Sequence, residues 1–196
     1  VAMAEAVLQS GDIPVLVDPA ASCREPLSPD VLVDALMAKA NRGTSIEDAP
    51  LAIALGPGFE AGVDCHAVIE TCRGHDLGRV LWCGSAIADT GVPGVVGVQS
   101  GRRVLRAPAP GFLDPDHHIL DLVKHGDVIA RVGDADVLAP FDGVLRGLIH
   151  ESVPLTPRMK IGDVDPRGMI RHCFTASDKS LAIAGGVLEA ILSDRS

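Results

Sequence analysis

The stretch LAIALGPGFEAG, residues 51–62, decides the fold of this chain. Its first five residues, Leu51–Leu55, form an unbroken apolar run of strand length, which is typical of a strand covered on both faces. The glycine-rich loop that follows lies at the carboxyl end of that strand, where an open α/β sheet binds its ligands. The stretch therefore predicts a central strand of a parallel sheet with a loop of functional interest after it.

The segments before this strand predict the rest of a parallel α/β unit. Ile13–Val17 has the composition of a short buried strand that ends at a turn. Ser28-Pro29-Asp30 has the residues of a helix start, and apolar residues continue at helical spacing to Ala38 before Gly43 ends the helix. Strand, helix and strand in this order predict the remainder of a Rossmann-like α/β unit over residues 1–62.

The composition restricts the classes of protein to which the chain can belong. It has 196 residues, with 17 Lys and Arg against 26 Asp and Glu, so the formal net charge is −9. Aromatic residues make up only 3%, and an acidic chain with so few rings is a poor candidate for nucleic-acid binding. The longest apolar runs, such as Val92–Val98, fall far short of the ~20 residues of a membrane span. We therefore expect neither a nucleic acid nor a membrane as partner.

The rest of the chain divides into three further segments. Residues 63–106 are rich in Val, Ile and Gly and predict short strands and loops. Residues 107–168 alternate short strands and turns, and their order resembles the biotinyl/lipoyl-type hammerhead, a β barrel-sandwich fold. The hairpin between Val132 and Val137 lacks the modifiable Lys of those carrier domains, which favours a scaffold role. Residues 169–196 predict a C-terminal helix.

That last helix contains an unusual pair of glycines. Gly185 and Gly186 lie inside an apolar stripe, where each Gly costs up to ~1 kcal/mol relative to Ala. The pair therefore predicts either a break in the helix or very close approach of another backbone or a ligand.

Three glycines after the predicted strand form the first candidate site. Gly56, Gly58 and Gly62 would let backbone N–H groups approach an anion such as a phosphate. The loop matches neither the GxGxxG nor the GxxxxGK[ST] fingerprint. The alternative to an anion site is a loop whose glycines only form a turn.

The most polar motif in the chain is ETCRGHDLGR, residues 70–79. Glu70, Arg73, His75 and Arg79 lie within ten residues, and guanidinium groups suit phosphorylated or planar anions. In an acidic protein, this concentration of Arg and His is where an anionic ligand would collect. The alternative is a solvated loop whose charges neutralise one another.

Two carboxylates near the end of the β-rich segment form a third candidate. Asp163 and Asp165, two residues apart, would lie on one face of a strand, and Arg167 follows them. They could bind a hard cation such as Mg²⁺, or order a turn with Arg167. We expect the turn, in which the three residues shape the rim of a ligand site.

The five cysteines carry weaker signals. Their scatter and the lack of a secretory signal indicate a cytoplasmic protein. Cys65-His66, Cys72, His75 and Cys83 could supply metal ligands, but their spacing matches no structural zinc pattern, so we expect no metal. No nucleophile–base pair or known catalytic motif is present, which leaves enzymatic activity uncertain and unsupported.

Taken together, the motifs resemble one family. In chain order they are ALGPGFEAG (54–62), VIETCRGHDLGR (68–79), TGVPG (90–94), RVLRAP (103–108), KIGDVDPRG (160–168), SDK (177–179) and GGVLEAIL (185–192). They resemble the YqeB family, accessory proteins of selenium-dependent molybdenum hydroxylase systems. The resemblance implies a cytoplasmic maturation factor that binds an anionic molybdopterin-type cofactor, the apo molybdenum hydroxylase, or both. A homo-oligomer is left open.

The resemblance also implies a segment before Val1. Members of the family usually carry a Gly-rich loop after a first strand, and the chain begins as if in the middle of a helix. Two other functions stay open beside the accessory role. One is a nucleotide-dependent transferase or oxidoreductase that uses this further loop, and the other is a selenium or sulfur carrier that uses Cys72, Cys83 or Cys173.

Overall fold

A computed structural model describes residues 2–89 and 101–193. The chain divides into two compact units: unit 1 holds described residues 2–89 and 178–193, and unit 2 holds described residues 101–177. Several sheets and a C-terminal helix give a mixed α/β protein, as the sequence predicts. The TGVPG motif (90–94) and the apolar run Val92–Val98 lie outside the described residues. The division into four segments at residues 62, 106 and 168 stays a prediction.

Unit 1 is built on a four-stranded sheet. Its helices are α1 (Ala2–Gln9), α2 (Arg24–Leu27) and α3 (Asp178–Ser193), and its strands are β1 (Val31–Asp34), β2 (Leu51–Leu55), β3 (Glu60–Ala61), β4 (Ala67–Ile69), β5 (Val80–Leu81) and β6 (Gly84–Ser85). The strand order is β1-β2-β4-β5, with β1, β2 and β4 parallel and β5 antiparallel. A one-turn 3₁₀ helix, Ile46–Asp48, leads into β2, and β3 and β6 form a small separate ladder.

Strand β2 is buried on both faces, as its apolar run predicts. Leu51 and Ile53 belong to a core cluster on one face, which Ala190 of α3 joins. Ala52 and Ala54 belong to a second cluster on the other face. The strand therefore lies inside the sheet and fixes the position of the loop that follows it.

The helix predicted from Ser28 to Gly43 is wrong. Residues Val31–Asp34 form a strand paired in parallel with Leu51–Ala54. Ser28 instead ends the short helix α2, with a left-handed φ of 44°. The β-branched and aliphatic side chains of Val31-Leu32-Val33 suit a strand, and pairing with β2 outweighs a helical spacing that is only a weak preference.

The strand predicted over Ile13–Val17 is also wrong. The backbone there is irregular, and the side chains of Ile13, Val15 and Val17 are almost fully exposed. An apolar run becomes a strand only beside a hydrogen-bonded neighbour, and the sheets of the described residues give this segment none.

Helix α3 confirms the predicted C-terminal helix and explains its glycines. The helix runs unbroken through Gly185 and Gly186. Gly186 is buried, and a Cβ there would collide with the carbonyl oxygen of Gly78 and with Ile69. Of the two explanations that the sequence predicts for the glycine pair, close approach of another backbone is therefore confirmed for Gly186. In residues 2–89 and 101–193, every helix is too short or too polar to reach across a bilayer.

Unit 2 consists of short antiparallel strands. They are β7 (Val104–Arg106), β8 (Leu113–Pro115), β9 (Leu122–Val123), β10 (Val128–Val132), β11 (Ala135–Leu138), β12 (Gly143–Leu148) and β13 (Lys160–Asp165). They form a sheet in the order β11-β10-β8 and a second sheet in the order β7-β13-β12-β9. Two 3₁₀ helices, Gly101–Arg103 and Ile170–Cys173, flank these strands in the chain.

One aliphatic core joins the strands of unit 2. Ile129 and Val132 of β10, Leu145 of β12 and Val164 of β13 are fully buried in it. Gly133, with φ 61°, sits in the two-residue turn between β10 and β11, where such hairpins favour glycine. Short strands separated by turns are as predicted for this segment, while the barrel-sandwich assignment stays a prediction.

Candidate functional site

Most of the predicted site residues of unit 1 lie at one edge of its sheet, whereas Gly62 lies beside Cys65, before the amino end of β4. Because β1, β2 and β4 are parallel, their carboxyl ends meet at the same edge. The loop after β2 begins at Gly56 and the segment after β4 begins at Glu70. A Cβ on Gly56 would lie 2.6 Å from Oγ1 of Thr71, so the two loops are in direct contact. In open α/β sheets, this edge is the usual ligand site.

The N–H groups of two loop glycines are already engaged within the chain. Gly56 donates to the carbonyl of Ile69 at 2.9 Å, and Gly62 donates to the carbonyl of Cys65 at 2.8 Å. Both glycines have positive φ, 79° and 86°, which L side chains rarely adopt. The alternative of a structural turn therefore accounts for Gly56 and Gly62, and neither offers its N–H to an anion in this arrangement.

Gly58 holds the loop after β2 against the segment after β1. A Cβ on Gly58 would lie 2.6 Å from Cα of Ala40, and the N–H of Asn41 donates to the Gly58 carbonyl at 3.1 Å. In the same segment, Met37 and Lys39 have positive φ, 54° and 62°. Strained non-glycine residues of this kind concentrate at functional sites. The segments after all three parallel strands thus form one packed surface.

Glu70 anchors the polar motif from inside the protein. Its side chain is buried, and its carboxylate accepts from the N–H of Cys72 at 2.7 Å and from the N–H of Ile87 at 2.8 Å. Its oxygens therefore hold two backbone segments in place. Direct contact of Glu70 with a ligand stays a prediction.

The three basic residues of the motif are exposed. Arg73 forms a bidentate ion pair with Asp178 at the start of α3, with Nη1–Oδ2 2.6 Å and Nη2–Oδ1 3.0 Å. Nε of Arg79 lies 2.8 Å from Oδ1 of Asp76. His75 lies between the two arginines in sequence and is exposed. The loop therefore presents two guanidiniums, each already beside one carboxylate.

The remaining predicted site residues belong to unit 2. Asp163 and Asp165 both lie on β13, so they share one face of the strand, as predicted. Val164 between them points into the core of the unit. The two carboxylates therefore lie on the face of the sheet that is turned away from the aliphatic core.

Asp165 is the most deeply buried charged group of the described residues. Its side chain is 1% exposed, and Arg167 contacts it through Nε at 2.9 Å, Nη2 at 2.6 Å and the backbone N–H at 3.0 Å. Nη1 of Arg146 lies 3.5 Å from Oδ2 of Asp165. The hydrogen bonds from Arg167 are the main reason why the pKa of Asp165 falls to about 2, against the opposing effect of burial. Asp165 is therefore ionised under all physiological conditions.

The surroundings of Asp163 act on its pKa in opposing directions. It forms an ion pair with Nη1 of Arg103, which precedes β7. Burial raises the pKa of Asp163, while the charges of Arg103, Lys160 and Arg146 act in the opposite direction. The register between β12 and β13 shifts between Leu145 and Gly147, which leaves Arg146 as the bulged residue. A bulge of this kind can redirect a side chain.

Three further residues lie near these two carboxylates and are not among the predicted site residues. Arg103, Arg146 and His172 are far apart in the chain, and only the folded unit brings them toward the same two carboxylates. The only sequence signal for any of the three is the RVLRAP motif, of which Arg103 is the first residue. The turn interpretation of Asp165 and Arg167 is correct, since Arg167 folds back onto Asp165 two residues earlier.

The described residues contain no group of three or more His, Cys, Asp or Glu side chains that could hold a metal ion. Cys65 is fully buried, and burial raises the pKa of its thiol to about 11. Nδ1 of His66 accepts from the N–H of Ala52 at 3.0 Å, which gives that imidazole a structural role. Cys72 and Cys83 are exposed.

Comparison with known proteins gives a relative for nearly the whole chain. No family model matches. Over 184 residues, or 94% of the chain, it is 51% identical to the uncharacterized protein YqeB of Escherichia coli (strain K12). The resemblance to the YqeB family is thereby supported. The chain spans 34% of the length of that YqeB protein.

Solved structures are similar to smaller parts of the chain. An aspartoacylase family protein from Mesorhizobium loti is 19% identical, with a TM-score of 0.28, over 32% of this chain and 22% of that one. A succinylglutamate desuccinylase/aspartoacylase from Rhodobacter sphaeroides is 18% identical, with a TM-score of 0.29, over 34% and 22% of the two chains. These scores are too low to support a common fold or function.

Proposed function

We propose that this protein is an accessory factor in the maturation of selenium-dependent molybdenum hydroxylases. In this role it binds an anionic, phosphate-bearing molybdopterin-type cofactor as cargo and delivers it to the apo-enzyme in the cytoplasm. The observation that carries the proposal is the position of the polar motif 70–79. It follows β4 at the carboxyl edge of three parallel strands, packed against the loop after β2.

The charges of this edge support an anionic cargo. The Arg73–Asp178 and Arg79–Asp76 pairs are both exposed, and exposed ion pairs contribute only ~0–1 kcal/mol. A phosphate group carries more charge than either carboxylate and accepts bidentate hydrogen bonds from guanidinium. It could therefore replace Asp178 or Asp76 as a partner at little cost, with His75 as a further donor.

The surrounding residues support a preformed site. Glu70 ties the motif to the backbone of Ile87, and Gly78 lies against α3. A loop held in this way loses little conformational freedom when it binds a ligand. Release to the apo-enzyme then requires only that Asp178 and Asp76 regain their guanidinium partners.

We propose a scaffold role for unit 2. Its hairpins would form the hammerhead-like barrel-sandwich of biotinyl and lipoyl domains. The two-residue turn between β10 and β11 contains Gly133 and Asp134 and no Lys that a carrier would modify. This composition supports a fixed scaffold and gives no support to a swinging arm.

Activation of an apo molybdenum hydroxylase tests the proposal. The full-length protein, loaded with molybdenum cofactor, should activate the apo-enzyme, and the Arg73→Gln/Arg79→Gln variant should activate it at least about tenfold more slowly. The Arg106→Gln/Arg131→Gln variant removes the same charge from exposed residues of unit 2 and should behave as the native protein. Equal activation by both variants, or none by the native protein, would contradict the proposal.

A further inference from the structure

Unit 2 contains a second concentration of basic side chains, on the face of its sheet turned away from the core. We call it the guanidinium cluster, and it consists of Arg103, Arg146, Arg167 and His172. These side chains come from a 3₁₀ helix, strand β12, the segment after β13 and a second 3₁₀ helix. They surround two carboxylates, Asp163 and Asp165. Three guanidiniums and an imidazole thus face two negative charges, in a protein whose net charge is −9.

The two carboxylates leave two buried nitrogen atoms of the cluster without a hydrogen-bond partner. Asp165 is engaged by three hydrogen bonds from Arg167, so little of its capacity remains for other donors. Nη1 of Arg146 lies 3.5 Å from Asp165 and Nδ1 of His172 lies 3.6 Å from it, both beyond normal hydrogen-bond length. Among the described residues, Nε of Arg103 and Nδ1 of His172 are buried and have no hydrogen-bond partner.

Buried polar atoms without partners are uncommon in folded proteins, and each one needs a physical explanation. Here two such atoms occur in one cluster, on two different elements that both face β13. Excess positive charge disfavours a metal cation. A bound anion would supply acceptors to both atoms and balance the charge of the cluster.

We infer that the guanidinium cluster is a binding site for a phosphate group, held by Arg103, Arg146 and His172. A tetrahedral dianion presents acceptor oxygens in several directions, which suits donors that approach from three separate elements. Asp163 and Asp165 act as positioning residues, since they hold Arg103 and Arg167 in place. The site lies within unit 2 and is independent of the cargo site proposed for unit 1.

Calorimetric titration of the full chain with inorganic phosphate and with glycerol phosphate tests this inference. Arg146→Gln should weaken binding of the preferred phosphate about tenfold, the loss expected for one charge-assisted hydrogen bond. His172→Gln should weaken it severalfold. Arg131→Gln is the matched control, because Arg131 is an exposed arginine of the same unit that pairs with Asp116 and Asp136. The Arg131→Gln variant should bind phosphate with the same affinity as the native chain.

The same titrations in an Arg73→Gln/Arg79→Gln background separate this site from unit 1. The tenfold effect of Arg146→Gln should persist there. Tighter binding of the ester would identify an organic phosphate as the ligand, and tighter binding of the inorganic ion would identify free phosphate. Phosphate binding that is insensitive to both Arg146→Gln and His172→Gln, or no phosphate binding by the folded native chain, would overturn the inference. Thermal unfolding of each variant verifies that it is folded.

Discussion

The carbonyl oxygen of Gly78 lies so close to Gly186 that Gly186 has no room for a Cβ atom. At Gly186, a Cβ would collide with the carbonyl oxygen of Gly78, and at Gly78 it would collide with the carbonyl oxygen of Ala182. This contact brings the polar motif 70–79 onto α3, whose first residue, Asp178, holds Arg73. The contact of two glycines therefore positions the candidate site.

The adjacent glycines of α3 should respond in opposite ways to the same substitution. We expect Gly186→Ala to destabilise the protein by ~1–3 kcal/mol, because the added methyl group forces backbone atoms apart. Gly185→Ala meets open space and should stabilise it by up to ~1 kcal/mol through helix propensity. Urea denaturation measures both values, and equal effects at the two positions would disprove the close contact.

Replacement of Glu70 should loosen the polar motif. Glu70→Ala leaves the N–H groups of Cys72 and Ile87 without their acceptor, so that only water can replace it. Amide hydrogen exchange of both residues should accelerate, which native-state exchange can measure. Glu60→Gln alters an exposed glutamate of the same unit and should leave both exchange rates as they are.

Asp165 should make stability depend on pH under acidic conditions. Its folded pKa of about 2 is lower than its ordinary value of 3.8, so it contributes stability above pH 4. That contribution, about 2 kcal/mol, should be lost as the pH falls from about 4 to 2. In Asp165→Asn the contribution is absent at every pH. The free energies of unfolding of the two proteins should therefore converge as the pH approaches 2.

Asp134→Asn is the control for this titration. Asp134 is exposed in the turn between β10 and β11, so its replacement should leave the acid profile of the native protein intact. Parallel profiles for the native protein and Asp165→Asn would show that the buried carboxylate is not the source of the acid sensitivity.

The cysteines should differ sharply in reactivity. Cys65 is buried and the pKa of its thiol is raised to about 11, so almost no thiolate is present at pH 8. We expect iodoacetamide to label Cys72 and Cys83, which are exposed, long before Cys65. Mass spectrometry of timed samples measures the order. Exceptionally rapid labelling of Cys72 or Cys83 at neutral pH would favour the alternative function of a selenium or sulfur carrier.

The sequence predicted those features that local patterns determine. The apolar run Leu51–Leu55 indicated a strand buried on both faces, and the glycine pair in α3 indicated a close backbone contact. The spacing of Asp163 and Asp165 alone predicts that they lie on one face of a strand. In each case, the strand or helix period and the chemistry of a few neighbouring residues carry the information.

Features that depend on distant partners were not predictable. Val31–Asp34 has helical spacing but pairs with β2, and Ile13–Val17 is apolar but has no strand beside it in the described sheets. Arg103, Arg146 and His172 come near Asp163 or Asp165 only because the chain folds distant segments against β13. Sequence spacing alone contains no information about such contacts.

The measurement that tests the central claim most directly is calorimetric titration of the protein with molybdenum cofactor released from a hydroxylase. The account predicts that the native protein binds it and that Arg73→Gln/Arg79→Gln binds it at least about tenfold more weakly. Arg106→Gln/Arg131→Gln should bind as the native protein does. Equal affinity of all three proteins would contradict a cargo site on the polar motif, and no binding by the native protein would contradict the accessory role.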